Sequence, residues 1–585
     1  MYRLLNKISS PQDIKGRSLD ELNTLCHEIR MAIVNRVSRV GGHLGSNMGI
    51  VEATLALHYV FNSPSDKFVF DVSHQSYAHK MLTGRWYGFT DETRFKEISG
   101  YTNPEESEHD LFNVGHTSTS ISLACGLCKA RDIRGGKENI IAIIGDGSLS
   151  GGEALEGLNV ASELKSGLII VVNDNDMSIA ENHGGLYSNL RQLRSSLGKH
   201  PSNLFRSFGL DYRYVDNGND LSTLVEVFSE IKNINHPIVI HINTVKGKGS
   251  AYAESEKEKF HSTQSFNKET GELVSLNNEK TYLSITGDYI LDKIERDKGF
   301  VAISAGVPSA LGFGFDASKR AKAGLQYVDV GIAEATAVAL ASGIAKNKGK
   351  ALFGTYSSFI QRTYDQLSQD LCLNNSPATI LVSNASIYGF KDKTHIGIFD
   401  IPLLSSIPNL TYLAPASDLE LISMLEWSIE QNACPVAVKM PGGKVFNADY
   451  PVASDFSEVK YQITKNGEGV AILALGCFYA IGVELYTALK KQGVDATLIN
   501  PRFINRLDIN TLNMLKKKHQ KIITLEDGIL EGGFGEKISA FYAKDEGIKV
   551  FSYGLKKEFI DRYDVLEVLR NNCLTPEQII KDIFE

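Results

Sequence analysis

The chain has 585 residues, more than a single hydrophobic core accommodates, and that length points to three or four domains. Hydrophobic residues at 43% and charged residues at 22%, with a net charge of −8, describe an ordinary soluble globular protein and exclude fibrous, disordered and membrane-spanning classes. The lysines are dispersed, and the densest basic run, Lys516-Lys517-Lys518-His519, follows Leu512 and Leu515 as a solvated helix face would; nucleic acid and anionic membrane are therefore not expected as partners.

Seven cysteines are too few for a disulfide scaffold. Cys125 and Cys128 lie in a small-residue run, Ile121 to Ala130, that reads as a buried helix rather than a redox or metal pair. Reduced thiols, an N-terminus without a long apolar region and the lack of any stretch of about 18 apolar residues predict a soluble, cytoplasmic, non-exported protein.

In chain order, short apolar runs alternate with helical patterns, the signature of α/β layers with mainly parallel sheets. Strands are predicted at Asn139–Ile144, Gly167–Val172 and Pro237–Asn243, and helices at Gly152–Leu164 and Leu221–Lys232. The polar, aperiodic stretch from Ala253 to Lys280 reads as a surface connection. A second set of strands follows at Gly299–Ser304, Gln326–Val330, Ala351–Thr355 and Ala378–Ser383, and a third at Gly469–Ala474, Asp495–Asn500 and Lys521–Glu526. The expected organisation is three α/β domains, 1–285, 286–455 and 456–585.

The most informative segment is an apolar strand running into Gly145-Asp146-Gly147, then a helix, then a second apolar strand running into Asn173-Asp174-Asn175. The separation of Asp146 and Asn175 is that of one βαβ unit, which puts both side chains at the carboxyl ends of parallel strands, where open α/β sheets bind ligands. Magnesium takes a small set of hard oxygen ligands and shares its shell with phosphate. Asp146 offers a carboxylate, Asn175 an amide oxygen, and a turn near Met177 a backbone carbonyl. Gly145, Gly147, Gly151 and Gly152 allow the backbone to approach a diphosphate and present amides to it.

This Gly-Asp-Gly followed by Asn resembles the thiamine-diphosphate motif of the transketolase superfamily. Gly41–Ser46, Asp71–Arg85, Val114–Ile121 and Asn173–Ile179 resemble more narrowly the 1-deoxy-D-xylulose-5-phosphate synthase family, and the likeness runs from about Leu4 to Glu526-Asp-Gly-Ile-Leu-Glu-Gly-Gly-Phe-Gly535. The segment Tyr187–Asp211 is shorter than in typical members. The resemblance implies thiamine diphosphate and Mg2+ as cofactors, a homodimer, and three domains that bind the diphosphate with magnesium, bind the pyrimidine, and form a transketolase C-terminal-like unit. It implies a cofactor-binding set of His74, His116, Gly145, Asp146, Gly147, Ser148, Asn175, Lys257 (or Lys259), Glu334 and Phe359, with Asp146, Asn175 and Met177 on the metal.

By the same resemblance Glu334, in Asp329-Val-Gly-Ile-Ala-Glu334, hydrogen-bonds the aminopyrimidine; flanked by Ile332, Ala333 and Ala335, it is expected to be desolvated with a raised pKa. Phe359 would stack on the pyrimidine and Arg362 would line its pocket. His43, His261 and, on the acceptor side, His395 are the candidates for moving protons, a task for which histidine suits near neutral pH.

The implied reaction joins pyruvate to glyceraldehyde 3-phosphate with loss of carbon dioxide. The likeness weakens on the acceptor side: Asn384 and Gly442 stand where the family has phosphate-binding arginines, Lys391 replaces an acidic residue with Asp392 displaced by one place, and Thr336 replaces a histidine. Neither Asn nor Gly reproduces the bidentate guanidinium–phosphate fork, although Lys391, Lys393 and Lys444 offer point charges. Three alternatives follow: the same donor with another aldehyde, a transketolase using a ketose donor, and a non-catalytic cofactor-binding paralogue.

Overall fold

The computed structural model describes residues 2–179, 181–274, 280–314, 317–447 and 450–585. Two compact units divide the chain: Met1–Asn278 with Gly331–Ala333, and Glu279–Val330 with Glu334–Glu585.

The first unit is built on a parallel sheet of β1 (Lys67–Phe70), β2 (Ile140–Gly145), β3 (Leu168–Asp174), β4 (Asp211–Val215) and β5 (Pro237–Asn243), in the order β1-β2-β3-β5-β4. Alternate side chains of β2 feed two cores. Ile140, Ala142 and Ile144 pack with Ile121, Ala124 and Leu158 from the helices Ser120–Arg134 and Gly152–Ser162. Ile141 and Ile143 pack on the other face with Leu25, Ile29 and Leu224 from the helices Leu19–Val40 and Leu221–Glu230. Burial on both faces is why β2 and β3 are continuous apolar runs. The register pairs Gly145 with Asn173 and Asp174 with Asn243, so β2, β3 and β5 end side by side at one edge.

The second unit carries two sheets. The first comprises β6 (Phe300–Ser304), β7 (Tyr327–Asp329), β8 (Lys350–Tyr356), β9 (Thr379–Ala385), β10 (Thr411–Leu413) and β11 (Val436–Pro441), all parallel, in the order β10-β11-β9-β8-β6-β7. The second comprises β12 (Gln462–Lys465), β13 (Gly469–Ala474), β14 (Ala496–Asn500), β15 (His519–Ile529) and β16 (Lys549–Leu555), in the order β12-β14-β13-β15-β16, with only the edge strand β12 antiparallel. The expected α/β class with mainly parallel sheets is the one observed.

Two local expectations are corrected. The Lys516–His519 run is not a helix face: its helix ends at Leu515, Lys516 and Lys518 pair with Asp545 and Glu468, and His519 is buried at the start of β15, its Nε2 within 2.8 Å of Thr497 Oγ1. Nor is Ala253–Lys280 simply a surface connection. Phe260 and Phe266 enter the core and Thr263 bridges to Gly42, because aromatic residues interleave with the charges; residues 275–279 of this stretch lie outside the described residues. Cys125 and Cys128 are buried on the helix Ser120–Arg134, and burial pushes their thiols up, to about 11 and about 12, consistent with inert packing.

Inside the second unit a buried charge cluster joins the two sheets. Lys439 of β11 sits 2.8 and 2.7 Å from the Asp400 carboxylate oxygens and 3.8 Å from Asp527 of β15. The Tyr412 hydroxyl also donates to Asp400. Removing one partner from such a buried pair leaves an uncompensated charge, which costs about 3–5 kcal/mol. Lys439→Met is accordingly expected to lower the urea midpoint of the second unit substantially; an unchanged midpoint would show that the cluster is not holding the sheets together.

Candidate functional site

The two candidate metal-ligand turns leave the first sheet next to each other. Asp146 follows the last residue of β2 and is almost completely buried. One carboxylate oxygen accepts a hydrogen bond from Asn182 Nδ2 at 2.8 Å. Asn175 follows β3, and its amide oxygen is buried with no hydrogen-bond partner in the protein. Met177 lies in the same turn, bridged to Glu181. Gly147 is required here, because a Cβ on it would come within 2.6 Å of the Ser178 side chain as the two turns approach.

Burial dominates the electrostatics of the site. Burial pushes the Asp146 carboxyl well above its ordinary range, and the neighbouring Asp174 adds to this, against the opposing charges of Lys246 and Arg194. Burial lowers the Lys246 ammonium to about 8 while Asp146 opposes the shift, and its Nζ hydrogen-bonds the Ser178 carbonyl at 2.5 Å. A carboxylate, an orphaned amide oxygen and a turn backbone form a hard-oxygen set that fits magnesium. Among the described residues no group of three or more His, Cys, Asp or Glu is placed to hold a metal.

Further polar groups stand around these turns. The backbone of Val72 and Ser73, just before His74, is left-handed (φ 57° and 62°), an unusual conformation for a β-branched residue. Ser118, two residues after His116, is left-handed as well (φ 76°). Its N–H and that of Ser120 donate to the buried Asp71 carboxylate at 2.8 and 3.0 Å, which fixes the loop entering the helix Ser120–Arg134. The Thr119 hydroxyl at that helix start has no partner in the protein.

Of the first-unit histidines, His43, His74 and His261 are brought together, with ring centroids 5.1, 5.7 and 5.3 Å apart pairwise. Asn47, which sequence reasoning missed, organises this cluster: its Nδ2 donates to the carbonyls of His43 and His74 at 2.8 and 2.7 Å. Burial, with Lys246 and the two other imidazoles, holds His261 well below its ordinary pKa, so it is neutral near pH 7.

Lys246 and Asn182 were missed too. The available signal for Lys246 was its position just past the carboxyl end of β5, the end shared with β2 and β3. Of the two lysines left open by the sequence, Lys257 acts electrostatically on Lys246, whereas Lys259 pairs with Glu256 at 2.6 Å and lies over Phe260.

In the second unit Glu334 opens the helix Glu334–Lys346 and is buried. Burial raises its carboxyl pKa, with the Arg362 guanidinium opposing, as expected from its apolar flanks. Phe359 and Phe390 contact His395 edge-on at 5.5 and 5.7 Å, and Tyr356 contacts both phenylalanines. His395 Nδ1 is 2.9 Å from Asp392, so the displaced carboxylate orients this imidazole. Burial works against the Asp392 charge, yet the His395 and Thr394 hydrogen bonds outweigh it and keep the carboxyl low.

Of the three candidate replacement charges, Lys391 and Lys444 are exposed, while Lys393 lines a cavity of about 40 Å³ with Ser357, Ser358, Gln361 and Thr394. Position 442 is closed: a Cβ there would lie 2.6 Å from Gly389 Cα and from the Tyr388 carbonyl.

Residues 280–445 match the family model for the transketolase pyrimidine-binding domain and 459–579 that for the transketolase C-terminal domain, which places the second unit in the transketolase class. Residues 5–200 match the family model of 1-deoxy-D-xylulose-5-phosphate synthase. Along its whole length the chain is 38% identical to the 1-deoxy-D-xylulose-5-phosphate synthase of Alkaliphilus oremlandii, covering 100% of this chain and 99% of that one. It is 37% identical to that of Clostridium acetobutylicum (100% of both chains) and 36% identical to 1-deoxy-D-xylulose-5-phosphate synthase 2 of Geobacter sulfurreducens (99% and 98%). The chain belongs to the 1-deoxy-D-xylulose-5-phosphate synthase family.

A carboxyl whose folded pKa is raised binds its proton more tightly folded than unfolded. Its favourable effect is fully present below the ordinary Glu pKa and is lost as pH rises through the raised value. Glu334→Gln should therefore unfold at a higher urea concentration than the parent at pH 8, with the difference shrinking toward pH 5. A difference independent of pH would show that burial of the Glu334 charge is not what it relieves.

Proposed function

We propose that the protein condenses pyruvate with glyceraldehyde 3-phosphate, releasing carbon dioxide and forming 1-deoxy-D-xylulose 5-phosphate, with thiamine diphosphate and Mg2+ as cofactors. Membership of the synthase family supports the reaction, and the carrying observation is the buried Asp146 carboxylate facing a turn with an orphaned Asn175 oxygen. Asp146, Asn175 and the Met177 carbonyl would hold the metal; Gly145, Gly147, Ser148, His74, His116 and Lys257 would hold the diphosphate. When bound, thiamine diphosphate supplies a thiazolium that stabilises negative charge on a carbonyl carbon.

Glu334, protonated more readily than an exposed glutamate, would share its proton with the aminopyrimidine, and Phe359 and Arg362 would hold that ring. Neutral His261, with His43, can accept and return protons at the donor, and His395, oriented by Asp392, does so at the aldehyde oxygen. The domain boundaries we propose, near 285 and 455, are supported by the family matches that begin at 280 and 459. We infer further a homodimer located in the cytoplasm; among the described residues no helix is long and apolar enough to cross a membrane.

One observation favours a second reading, the same donor with a different aldehyde: the closed backbone at Gly442, together with Asn384, removes two phosphate forks. Carbon dioxide release from pyruvate, measured with thiamine diphosphate and Mg2+, decides between them. Strong stimulation by glyceraldehyde 3-phosphate, with release reduced by about 100-fold or more in Glu334→Ala, supports the synthase. Release without stimulation sinks the acceptor assignment, and no release from pyruvate sinks the reaction.

A further inference from the structure

The two proposed magnesium turns are spanned by a single helix, Gly185–Ser195, that runs into the segment noted above for its shortness. Tyr187, near its start, is buried, and its hydroxyl donates at 3.1 Å to the carbonyl of Gly147, the residue after Asp146. Two turns further along the same face, Arg194 places Nη1 2.7 and 2.6 Å from the two oxygens of Asp174. Its Nη2 lies 2.6 Å from Asp176. Asp174 and Asp176 flank Asn175, so one guanidinium grips the chain on both sides of the orphaned amide oxygen.

The grip is reinforced from within. The Asp176 N–H donates to Asp174 Oδ1 at 3.1 Å, and Asp176 is left-handed (φ 62°). His241 Nε2 lies 2.8 Å from Asp174 Oδ2, and its Nδ1 lies 2.9 Å from the Tyr212 hydroxyl, so the carboxylate has partners on both oxygens. The planar fork of arginine reaches two carboxylates at once, Nη1 on Asp174 and Nη2 on Asp176; a lysine supplies the charge without that geometry.

We infer that this helix is a brace for the metal, with Arg194 and Tyr187 as positioning residues that set the Asn175 turn against the Asp146 turn. The inference rests on the reading that Asp146 and Asn175 take magnesium. Neither side chain would serve as a ligand; each would act through the turn that carries one, Arg194 on Asp174 and Asp176 and Tyr187 on the Gly147 carbonyl. Outer-shell groups of this kind typically change metal affinity by about 10–100-fold.

The test uses full-length protein and calorimetric titration of thiamine diphosphate at a series of Mg2+ concentrations, which yields the half-saturating Mg2+ independently of turnover. Arg194→Lys is expected to raise that concentration about 10-fold or more, and Tyr187→Phe to raise it by a smaller factor, with the far-ultraviolet circular dichroism of each unchanged. Wild-type half-saturation in both folded variants would overturn the brace and leave Arg194 as a partner for two carboxylates only. Should Arg194→Lys fail to fold, Tyr187→Phe, which loses a single hydroxyl, still decides. Asp146→Asn serves as the control: Mg2+-independent binding in the parent and in this variant alike would overturn the metal reading itself. A Mg2+ effect abolished by Asp146→Asn but unchanged in the brace variants would overturn the brace alone.

Discussion

Burial of the Asp146 carboxylate at the end of β2 is the constraint on which the first unit depends. A carboxylate so enclosed is tolerable only when opposite charge or hydrogen bonds compensate it. The protein supplies part of that compensation, through Lys246 and Asn182, and leaves the Asn175 oxygen beside it without a partner. Parallel strands of matched register bring the two turns to the same edge, and Gly147 lets them touch. The fold thus concentrates carboxylate and amide oxygens at one point, where a divalent cation would fit.

The remaining ionisable groups divide by environment. His261, deep among other cationic or imidazole groups, stays neutral, whereas Glu334, enclosed by apolar neighbours, holds its proton more readily than an exposed glutamate. Groups pushed in opposite directions by their surroundings are how one protein provides both proton donors and acceptors near pH 7. On the acceptor side, Asp392 orients His395, and Lys393 lines a small cavity of mixed polar and apolar side chains.

Much of this was legible in the sequence. The strands buried on both faces, such as Ile140–Gly145 and Pro237–Asn243, announce themselves as apolar runs, and the Gly-Asp-Gly and Asn-Asp-Asn turns fall where those runs end. Six strands went unseen: Lys67–Phe70, Asp211–Val215, Thr411–Leu413, Gln462–Lys465 and Lys549–Leu555 lie at sheet edges, and Val436–Pro441, inside its sheet, is interrupted by Lys439. Second-layer residues were illegible for a different reason. Arg194, Asn182, Asn47 and Lys246 act across sequence separations that only the register of the sheet reveals, and none sits in a motif that specifies its partner. The Lys516–His519 run misled because charge alone does not distinguish a helix face from a turn whose lysines find carboxylates on neighbouring loops.

The most direct measurement is the affinity of the metal-stripped protein for thiamine diphosphate, by calorimetry, with and without added Mg2+. Tight binding that requires Mg2+ and disappears in Asp146→Ala is the predicted result, because the enclosed carboxylate is what the cation completes. Equal affinity with and without Mg2+, or full binding in Asp146→Ala, would contradict the account.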